Sequence, residues 1–171
     1  EAVRHYAQAL RHTGVVSPIL AQGESGRAQL LRRFIENHRA VLVATDSFWE
    51  GVSVKGEGLR LVVIPRLPFK VPTDPLRQAR YERMQSLGLD PFKAYALPEA
   101  VIKLRQGYGR LIRSTSDRGV VAILDRRIHE RTYGALMLRS LPPARRAVGP
   151  WRAVLPALQE FFSTSGSVDS A

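Results

Sequence analysis

The sequence predicts a single domain of the α/β class, in which helices cover both faces of a mainly parallel sheet. Apolar runs of strand length occupy residues 40–45, 59–64 and 119–124, and helical patterns alternate with them. These runs are apolar throughout and lack period-two alternation, which is typical of parallel strands buried on both faces. A chain of 171 residues is also long enough to bury a core without disulfides or a metal.

The first third of the chain predicts two helices and a strand. Apolar residues recur at helical spacing up to Leu10, so the first helix is expected to end near Gly14. Residues 15–20 form a short apolar strand. Ser25 is in position to cap the second helix, which is predicted from Gly26 to about residue 38.

The rest of the chain contains several prolines between its predicted helices and ends in a polar tail. A proline-rich connection leads to a helix near residues 76–87, and a long helix begins at Leu97. Further helices are predicted at 133–141 and 151–162. The expected organisation is a main domain over residues 1–141, a C-terminal helical extension over 142–162, and a disordered tail over 163–171.

Composition narrows the classes of partner. The formal charge of +11, from 26 Lys and Arg against 15 Asp and Glu, favours a polyanion, with nucleic acid ahead of a membrane surface. No apolar run approaches the roughly 20 residues that span a bilayer. The chain has no Cys and its four His are scattered, so disulfides and cysteine-ligated metals are excluded within it and no metal site is predicted.

The stretch that begins at Gln106 combines polar side chains with glycines in a helical pattern. Gln106, Arg110 and Arg113 follow one another at steps of four and three residues, opposite a buried apolar stripe. A solvated helix face would also explain this spacing. Gly107 and Gly109, however, each cost about 1 kcal/mol inside a helix, which indicates that something approaches the backbone closely. Paired guanidinium groups suit a polyphosphate.

The segment after the second apolar run lies where parallel sheets bind ligands, at the carboxyl end of a strand. Phe48 and Trp49 are either a hydrophobic plug beneath the loop or a stacking platform for bases. Thr45 and Ser47 either donate hydroxyls to phosphate or satisfy the strand end. Gly51 either permits close approach of a nucleotide or forms a turn.

The sequence lacks the parts of a complete nucleotide-hydrolysing site. A phosphate-binding loop needs glycines followed by Lys and Ser or Thr, and a magnesium site needs an acidic residue. The glycine-containing segment at 23–27 has neither the length nor the Lys, and is interpreted as a turn and helix cap. The chain is therefore expected to contribute part of a site, by supplying arginines across an interface.

Residues 106–113 resemble motif VI of superfamily 2 helicases, Q-x-x-G-R-x-x-R, and residues 43–56 resemble motif V. The run Phe-Trp-Glu-Gly-Val-Ser-Val-Lys-Gly is similar to the corresponding segment in the DinG branch of the XPD/DinG helicases. So is the longer run Leu-Pro-Glu-Ala-Val-Ile-Lys-Leu-Arg-Gln-Gly-Tyr-Gly-Arg-Leu-Ile-Arg. The resemblance covers about residues 20–141.

The resemblance implies the second RecA-like, three-layer motor domain of an ATP-dependent DNA helicase that moves 5′ to 3′ on single-stranded DNA. ATP and Mg²⁺ would bind mainly to a partner N-terminal RecA-like domain, which in many members also carries an iron–sulfur cluster. The strand of motif IV would precede this sequence, and the chain alone would be inactive. A bacterial cytoplasmic protein associated with the nucleoid is expected, without a membrane partner.

The resemblance also assigns site residues. Arg110 and Arg113 would be arginine fingers, and Gln106 would sense the terminal phosphate or its attacking water. The residues expected to couple ATP are Glu50, Gly51, Ser53 and Gly109. The residues expected to contact DNA are Thr45, Ser47, Trp49, Lys55 and Arg66. Relatives commonly have Asp in place of Ser53, and a hydroxyl cannot supply that charge.

Two other functions fit parts of the sequence. In a non-catalytic module that binds single-stranded nucleic acid, the basic surface and Trp49 would do the binding and the motif arginines would only contact phosphates. A free-standing α/β enzyme acting on a phosphorylated metabolite would need its own base or nucleophile, and no such constellation is found in the sequence.

Overall fold

A computed structural model of the protein describes four stretches of the chain: residues 1–49, 58–70, 74–112 and 117–165. Two compact units, Glu1–Leu141 and Pro142–Ala171, make up the chain. All the strands and the site residues described below belong to the first unit.

Short helices and strands alternate through the first unit. In chain order the elements are α1 (Ala2–His12), β1 (Ile19–Ala21), α2 (Arg27–Glu36), β2 (Val41–Val43), a 3₁₀ turn (Asp46–Trp49), β3 (Leu61–Ile64), α3 (Pro75–Ser86), a π-helical turn (Phe92–Ala96), α4 (Leu97–Tyr108), β4 (Val120–Ile123), α5 (Arg127–Glu130) and α6 (Gly134–Arg139). The second unit contains α7 (Trp151–Ser165).

The described strands pair in parallel, as the apolar runs predict. β1 lies beside β2, with Ile19 opposite Val41, and β3 lies beside β4, with Leu61 opposite Val120. The difference from expectation is that these strands form two separate pairs rather than one sheet. Strands of three or four residues offer few ladder hydrogen bonds, so side-chain packing must contribute much of the cohesion of each pair.

Each strand pair has its own hydrophobic cluster. The first cluster consists of Leu20, Leu30, Phe34 and Phe48. The second cluster consists of Ile64, Leu67, Ala100, Leu104, Ile128 and Met137. Leu104 and Met137 are completely buried in the second cluster, which makes α4 and α6 its central helices.

The predicted N-cap of α2 is wrong, whereas α3 has a side-chain N-cap. Gly26, in an extended conformation, is the N-cap of α2, so Ser25 does not cap that helix. The Ser25 hydroxyl is buried and finds no hydrogen-bond partner in the described part of the chain. At α3, the Asp74 side chain accepts a hydrogen bond from the Leu76 N–H, and Pro75 occupies the first helical position.

Helix α4 ends earlier than the sequence predicts. Its last residue is Tyr108, after which Arg110 N–H donates to Gly107 O (3.3 Å) and Leu111 N–H donates to Tyr108 O (3.0 Å). These bonds span three residues rather than four, so the chain tightens into a turn. Gly109 and Arg110 therefore follow the helix, whereas the sequence pattern placed both inside it.

Helix α7 of the second unit extends past its predicted end at residue 162. The hydroxyls of Ser163 and Thr164 donate to the Glu160 carbonyl, at 2.9 and 2.7 Å, and the helix continues to Ser165. The helix therefore reaches three residues into the segment predicted as a tail. The remainder of that segment, residues 166–171, lies outside the described residues.

Candidate functional site

The 3₁₀ turn after β2 packs against α4, which brings together the two segments that the sequence singled out. Lys103 Nζ lies 3.8 Å from Asp46 Oδ2, at the distance of an ion pair rather than a hydrogen bond. Four residues further along α4, Gly107 faces the indole of Trp49. The turn therefore rests on one face of the helix.

Gly107 and Trp49 are in close contact. A Cβ atom at Gly107 would stand 3.1 Å from three carbon atoms of the Trp49 ring, closer than ordinary van der Waals contact. The close approach inferred from the helical glycines is thus made at Gly107 by a side chain of the same chain. A helical glycine costs about 1 kcal/mol relative to Ala, and here that cost is offset by a ring contact that a Cβ atom would crowd.

Phe48 and Trp49 have different surroundings although they are adjacent. Phe48 is 5% exposed within the first cluster, and the Arg27 guanidinium lies 5.1 Å from its ring centre. Of the two alternatives left open for Phe48, its burial supports the hydrophobic plug beneath the loop. Trp49 is half-buried and packs against the second cluster. Whether Trp49 also stacks on a base stays a prediction.

Thr45 and Ser47 present exposed hydroxyls at the carboxyl ends of β1 and β2. The N–H and the hydroxyl of Thr45 both donate to Gln22 Oε1, at 2.8 and 2.9 Å, and the hydroxyls of Thr45 and Ser47 lie 2.8 Å apart. Gln22 directly follows β1 and was not identified from the sequence, although its place at a strand end was a usable signal. It holds the start of the 3₁₀ turn in place.

The end of α4 holds the described part of motif VI. Gln106 is half-buried, and its Oε1 is fully buried with no hydrogen-bond partner among the described residues. A buried oxygen of this kind costs roughly 1–3 kcal/mol unless a donor reaches it. Arg110 is half-buried on the turn that follows. Gly109 has φ of −67°, and a Cβ there would meet the Arg105 carbonyl at 3.3 Å.

Several predicted site residues fall outside the described stretches: Glu50, Gly51, Ser53, Lys55 and Arg113. Their expected roles stay predictions. Arg66 is described, and it lies exposed in the bend that follows β3. Arg66 follows β3, whereas Thr45 and Ser47 follow β2. All three residues therefore lie after the carboxyl end of a parallel strand, but the strands belong to different pairs.

Asp125, two residues after the end of β4, organises the loop after β3, and it was not identified from the sequence. Its carboxylate accepts from the Leu67 N–H (2.8 Å) and from the Arg127 side chain at Nε (2.9 Å) and Nη2 (2.6 Å). The Arg127 guanidinium is the main cause that lowers the Asp125 pKa to about 2. An Asp that ends a buried strand, two residues before Arg, was the available signal. Because Leu67 follows Arg66, this carboxylate fixes the backbone beside that exposed arginine.

Glu99 in the first turn of α4 forms a second carboxylate centre. Both terminal nitrogens of Arg77 donate hydrogen bonds to the Glu99 carboxylate, and the Nη2–Oε1 distance is 2.9 Å. Lys70 Nζ lies 3.2 Å from Oε1. The Arg77 hydrogen bonds are the main cause that lowers the Glu99 pKa to about 2, and they raise the pKa of Arg77. This centre joins α3 to α4.

The described stretches show neither a cluster of metal ligands nor a membrane-spanning helix. They contain no group of three or more His, Cys, Asp or Glu placed to hold a metal ion. Within the same stretches, no helix combines the length and apolar character needed to cross a membrane. The described site presents the side chains of Arg110 and Gln106 and the hydroxyls of Thr45 and Ser47.

Comparison with protein families identifies the domain. A model of the helicase C-terminal domain matches residues 1–144, which is most of the chain. The chain belongs to this family. The α/β fold with parallel strand pairs is accordingly that of a RecA-like helicase C-terminal domain.

Curated relatives show that this helicase C-terminal domain is of the DinG type. It is 51% identical over 152 residues to ATP-dependent DNA helicase YoaA of Escherichia coli (strain K12), covering 89% of this chain and 24% of that protein. It is 45% identical over 139 residues to 3′-5′ exonuclease DinG of Bacillus subtilis (strain 168), covering 79% and 15%. It is 40% identical over 142 residues to ATP-dependent helicase DinG of Mycobacterium tuberculosis (strain H37Rv), covering 83% and 21%. The chain thus spans a quarter or less of the length of these relatives.

Proposed function

We propose that this helicase C-terminal domain is the second motor domain of an ATP-dependent DNA helicase that moves 5′ to 3′ on single-stranded DNA. In this proposal Arg110, Arg113 and Gln106 reach ATP that is bound, with Mg²⁺, by the N-terminal RecA-like domain of the same protein. The similarity to proteins named ATP-dependent DNA helicases supports it. We place this helicase in the bacterial cytoplasm, at the nucleoid.

The observation that carries the proposal is the packing of the 3₁₀ turn on the end of α4. The turn presents the hydroxyls of Thr45 and Ser47, which suit the phosphodiester backbone of DNA. Helix α4 presents Gln106 and Arg110, which suit a nucleotide phosphate. A helicase must couple these two kinds of ligand, and here the segments that would bind them touch through Trp49 and Gly107.

Each described side chain has a chemical role in this proposal. The planar guanidinium of Arg110 stays charged at any working pH and pairs with the oxygens of the transferred phosphoryl group, where charge develops in the transition state. The Gln106 side chain carries an amide, with one acceptor oxygen and two donor hydrogens, which can orient the attacking water. Arginines supplied in this way increase turnover by roughly 10³ to 10⁵-fold.

The DNA side of the proposal depends on charge and exposure. The net charge of +11 favours a polyanion, and the exposed Arg66 adds a cation at a strand end. Asp125 keeps the loop beside Arg66 in one conformation through the Leu67 N–H. Thr45, Ser47 and Arg66 are the described residues that we assign to the DNA backbone, together with Lys55 from the sequence.

Substitution of Arg110 in the intact protein tests the proposal. We expect Arg110→Ala to lower ATP turnover by at least about 10²-fold, with single-stranded DNA affinity changed by less than about threefold, because the side chain acts on transition-state charge. Arg105→Ala is the matched control, since Arg105 is an exposed arginine of the same helix. We expect the control to turn over ATP at the normal rate.

The two measurements also separate the helicase from a binding module. If Arg110→Ala weakens DNA binding and leaves ATP turnover unchanged, Arg110 is a phosphate contact and the arginine-finger role is wrong. A steep loss of affinity with rising salt in that case would favour a basic module for single-stranded nucleic acid.

A further inference from the structure

Gly107 is a glycine for reasons of space rather than of backbone conformation. It lies inside α4, and the described residues with positive φ are other glycines, at 14, 23, 88 and 149. A Cβ at Gly107 would be equally distant, at 3.1 Å, from Cδ2, Cε2 and Cε3 of Trp49. Equal distances to three atoms mean that the face of the indole, and not its edge, covers the glycine.

The 3₁₀ turn is anchored in two hydrophobic clusters by consecutive residues. Phe48 belongs to the first cluster, beside β1 and β2, and Trp49 packs against the second cluster, beside β3, β4 and α4. Close-packed interiors deform little, so the turn cannot move without disturbing both clusters. It acts as a stiff connection between the two strand pairs.

A second contact holds the turn on the same face of α4. Lys103 is one helical turn before Gly107, and its ammonium lies 3.8 Å from the Asp46 carboxylate. The Lys103 side chain is only 13% exposed, so this attraction is screened less than that of a surface pair. The first and last residues of the 3₁₀ turn, Asp46 and Trp49, are thus both fixed to α4.

The covered glycine is directly joined to the proposed nucleotide-facing groups. Gln106 precedes Gly107 in the helix, and the Arg110 N–H donates to the Gly107 carbonyl at 3.3 Å. At the other end of the turn, the Thr45 hydroxyl contacts Ser47, and both side chains are exposed. A continuous chain of contacts therefore runs from these hydroxyls through Trp49 to Arg110.

We propose that Trp49 and Gly107 are positioning residues, whose face-on contact transmits DNA binding at the 3₁₀ turn to the arginine at the end of α4. This inference rests on the proposed helicase function and adds the route of coupling between its two ligands. A displacement of the turn by a DNA backbone moves the indole, and the indole moves the segment that carries Arg110. Trp49 acts through α4 and does not need to touch the nucleotide.

Gly107→Ala in the intact protein tests the coupling, with oligothymidine as the DNA probe. The added methyl group pushes the indole away by a few tenths of an ångström. We expect DNA-stimulated ATP turnover to fall about 10-fold, while basal turnover and oligothymidine affinity stay within about twofold. Gly26→Ala is the matched control, because a Cβ there meets nothing within 4 Å, and it should behave as the unsubstituted protein.

A double variant shows whether the effect passes through the indole. Adding Trp49→Phe to Gly107→Ala replaces the indole by a smaller ring that leaves room for the methyl group. We expect stimulated turnover to recover to within about threefold of the normal rate, as for coupled neighbours. If Gly107→Ala does not fold, Trp49→Phe alone decides, and its ratio of stimulated to basal turnover must fall by at least about threefold.

The outcomes separate this inference from the proposed function. Arg110→Ala should lower basal and stimulated turnover alike, and its failure to do so would contradict the helicase proposal itself. The coupling role of Trp49 and Gly107 is overturned if Gly107→Ala lowers both rates equally or leaves both unchanged. It is also overturned if the double variant shows no recovery.

Discussion

The two ends of α4 differ in whether their polar side chains have hydrogen-bond partners among the described residues. At the N-terminal end, the Glu99 carboxylate is held by Arg77 and Lys70. At the C-terminal end, the buried Oε1 of Gln106 has no hydrogen-bond partner in the described part of the chain, and the next residue is a glycine covered by Trp49. The Glu99 charge is paired within the chain, whereas the Gln106 oxygen has no partner among the described residues.

The difference indicates which end is built for stability and which for a ligand. Ion pairs that are partly shielded from solvent stabilise the joint between α3 and α4. An unpaired buried oxygen destabilises a fold, so its presence at the motif VI end is consistent with a group that receives its donor only when a ligand is bound. Under the proposed function, the same helix combines a stable support with part of a nucleotide site.

The largest expected effect is on stability, from the N-terminal end. Glu99→Ala leaves Arg77 partly buried without its carboxylate, and we expect the free energy of unfolding to fall by roughly 3 kcal/mol. Urea denaturation of this chain measures it. Glu82→Ala, at an exposed glutamate of α3, is the control and should cost less than about 0.5 kcal/mol. A similar small cost at Glu99 would show that the ion pairs contribute little.

Acid should reduce stability through the two paired carboxylates. Glu99 and Asp125 have pKa values of about 2, below their ordinary values of 4.5 and 3.8, because Arg77 and Arg127 stabilise the charged forms. The unfolded chain therefore binds more protons than the folded chain between about pH 4.5 and pH 2, and stability falls as the pH falls through that window. We expect a loss of roughly 2 kcal/mol between pH 5 and pH 3. Glu99→Gln should flatten this decline, and an unchanged slope would remove Glu99 as a cause.

At the C-terminal end of α4, a substitution is expected to raise the free energy of unfolding by a smaller amount. Gln106→Leu removes a buried oxygen that has no hydrogen-bond partner among the described residues, so we expect the free energy of unfolding to rise by about 1 kcal/mol. In the intact protein the same substitution should lower ATP turnover about 10-fold, because the acceptor for the attacking water is lost. Loss of stability together with loss of turnover would mean that Gln106 is a structural residue.

Local pattern was sufficient to predict much of the fold. The apolar runs predicted three strands in nearly correct positions, and a fourth, at residues 15–20, that overlaps β1 by two residues. The expectation that the strands are buried on both faces is wrong for β3, because Leu61 and Val63 are 44% and 47% exposed. Helix ends were harder, since Gly26 rather than Ser25 caps α2 and the chain tightens into a turn before Gly109. Both errors arise where backbone conformation, which composition does not determine, decides the boundary.

The candidate site residues were chosen for a similar reason, and their roles stay predictions. Motif residues such as Gln106 and Arg110 carry their chemistry in their own side chains, so their spacing was informative. The contact between Trp49 and Gly107, and the hydrogen bond from Leu67 to Asp125, join residues far apart in the sequence. Only the packing of β-strands and α4 brings such pairs together, and no local pattern encodes it.

Binding of a transition-state analogue tests the central claim most directly, because Arg110 is proposed to recognise charge that develops only during phosphoryl transfer. The measurement compares the affinity of the intact protein for ADP with aluminium fluoride and for ADP alone, with oligothymidine present. We expect the unsubstituted protein to bind the analogue at least about 10²-fold more tightly, and Arg110→Ala to lose that preference while its ADP affinity changes by less than about twofold. An Arg110→Ala variant that keeps the full preference for the analogue would contradict the account.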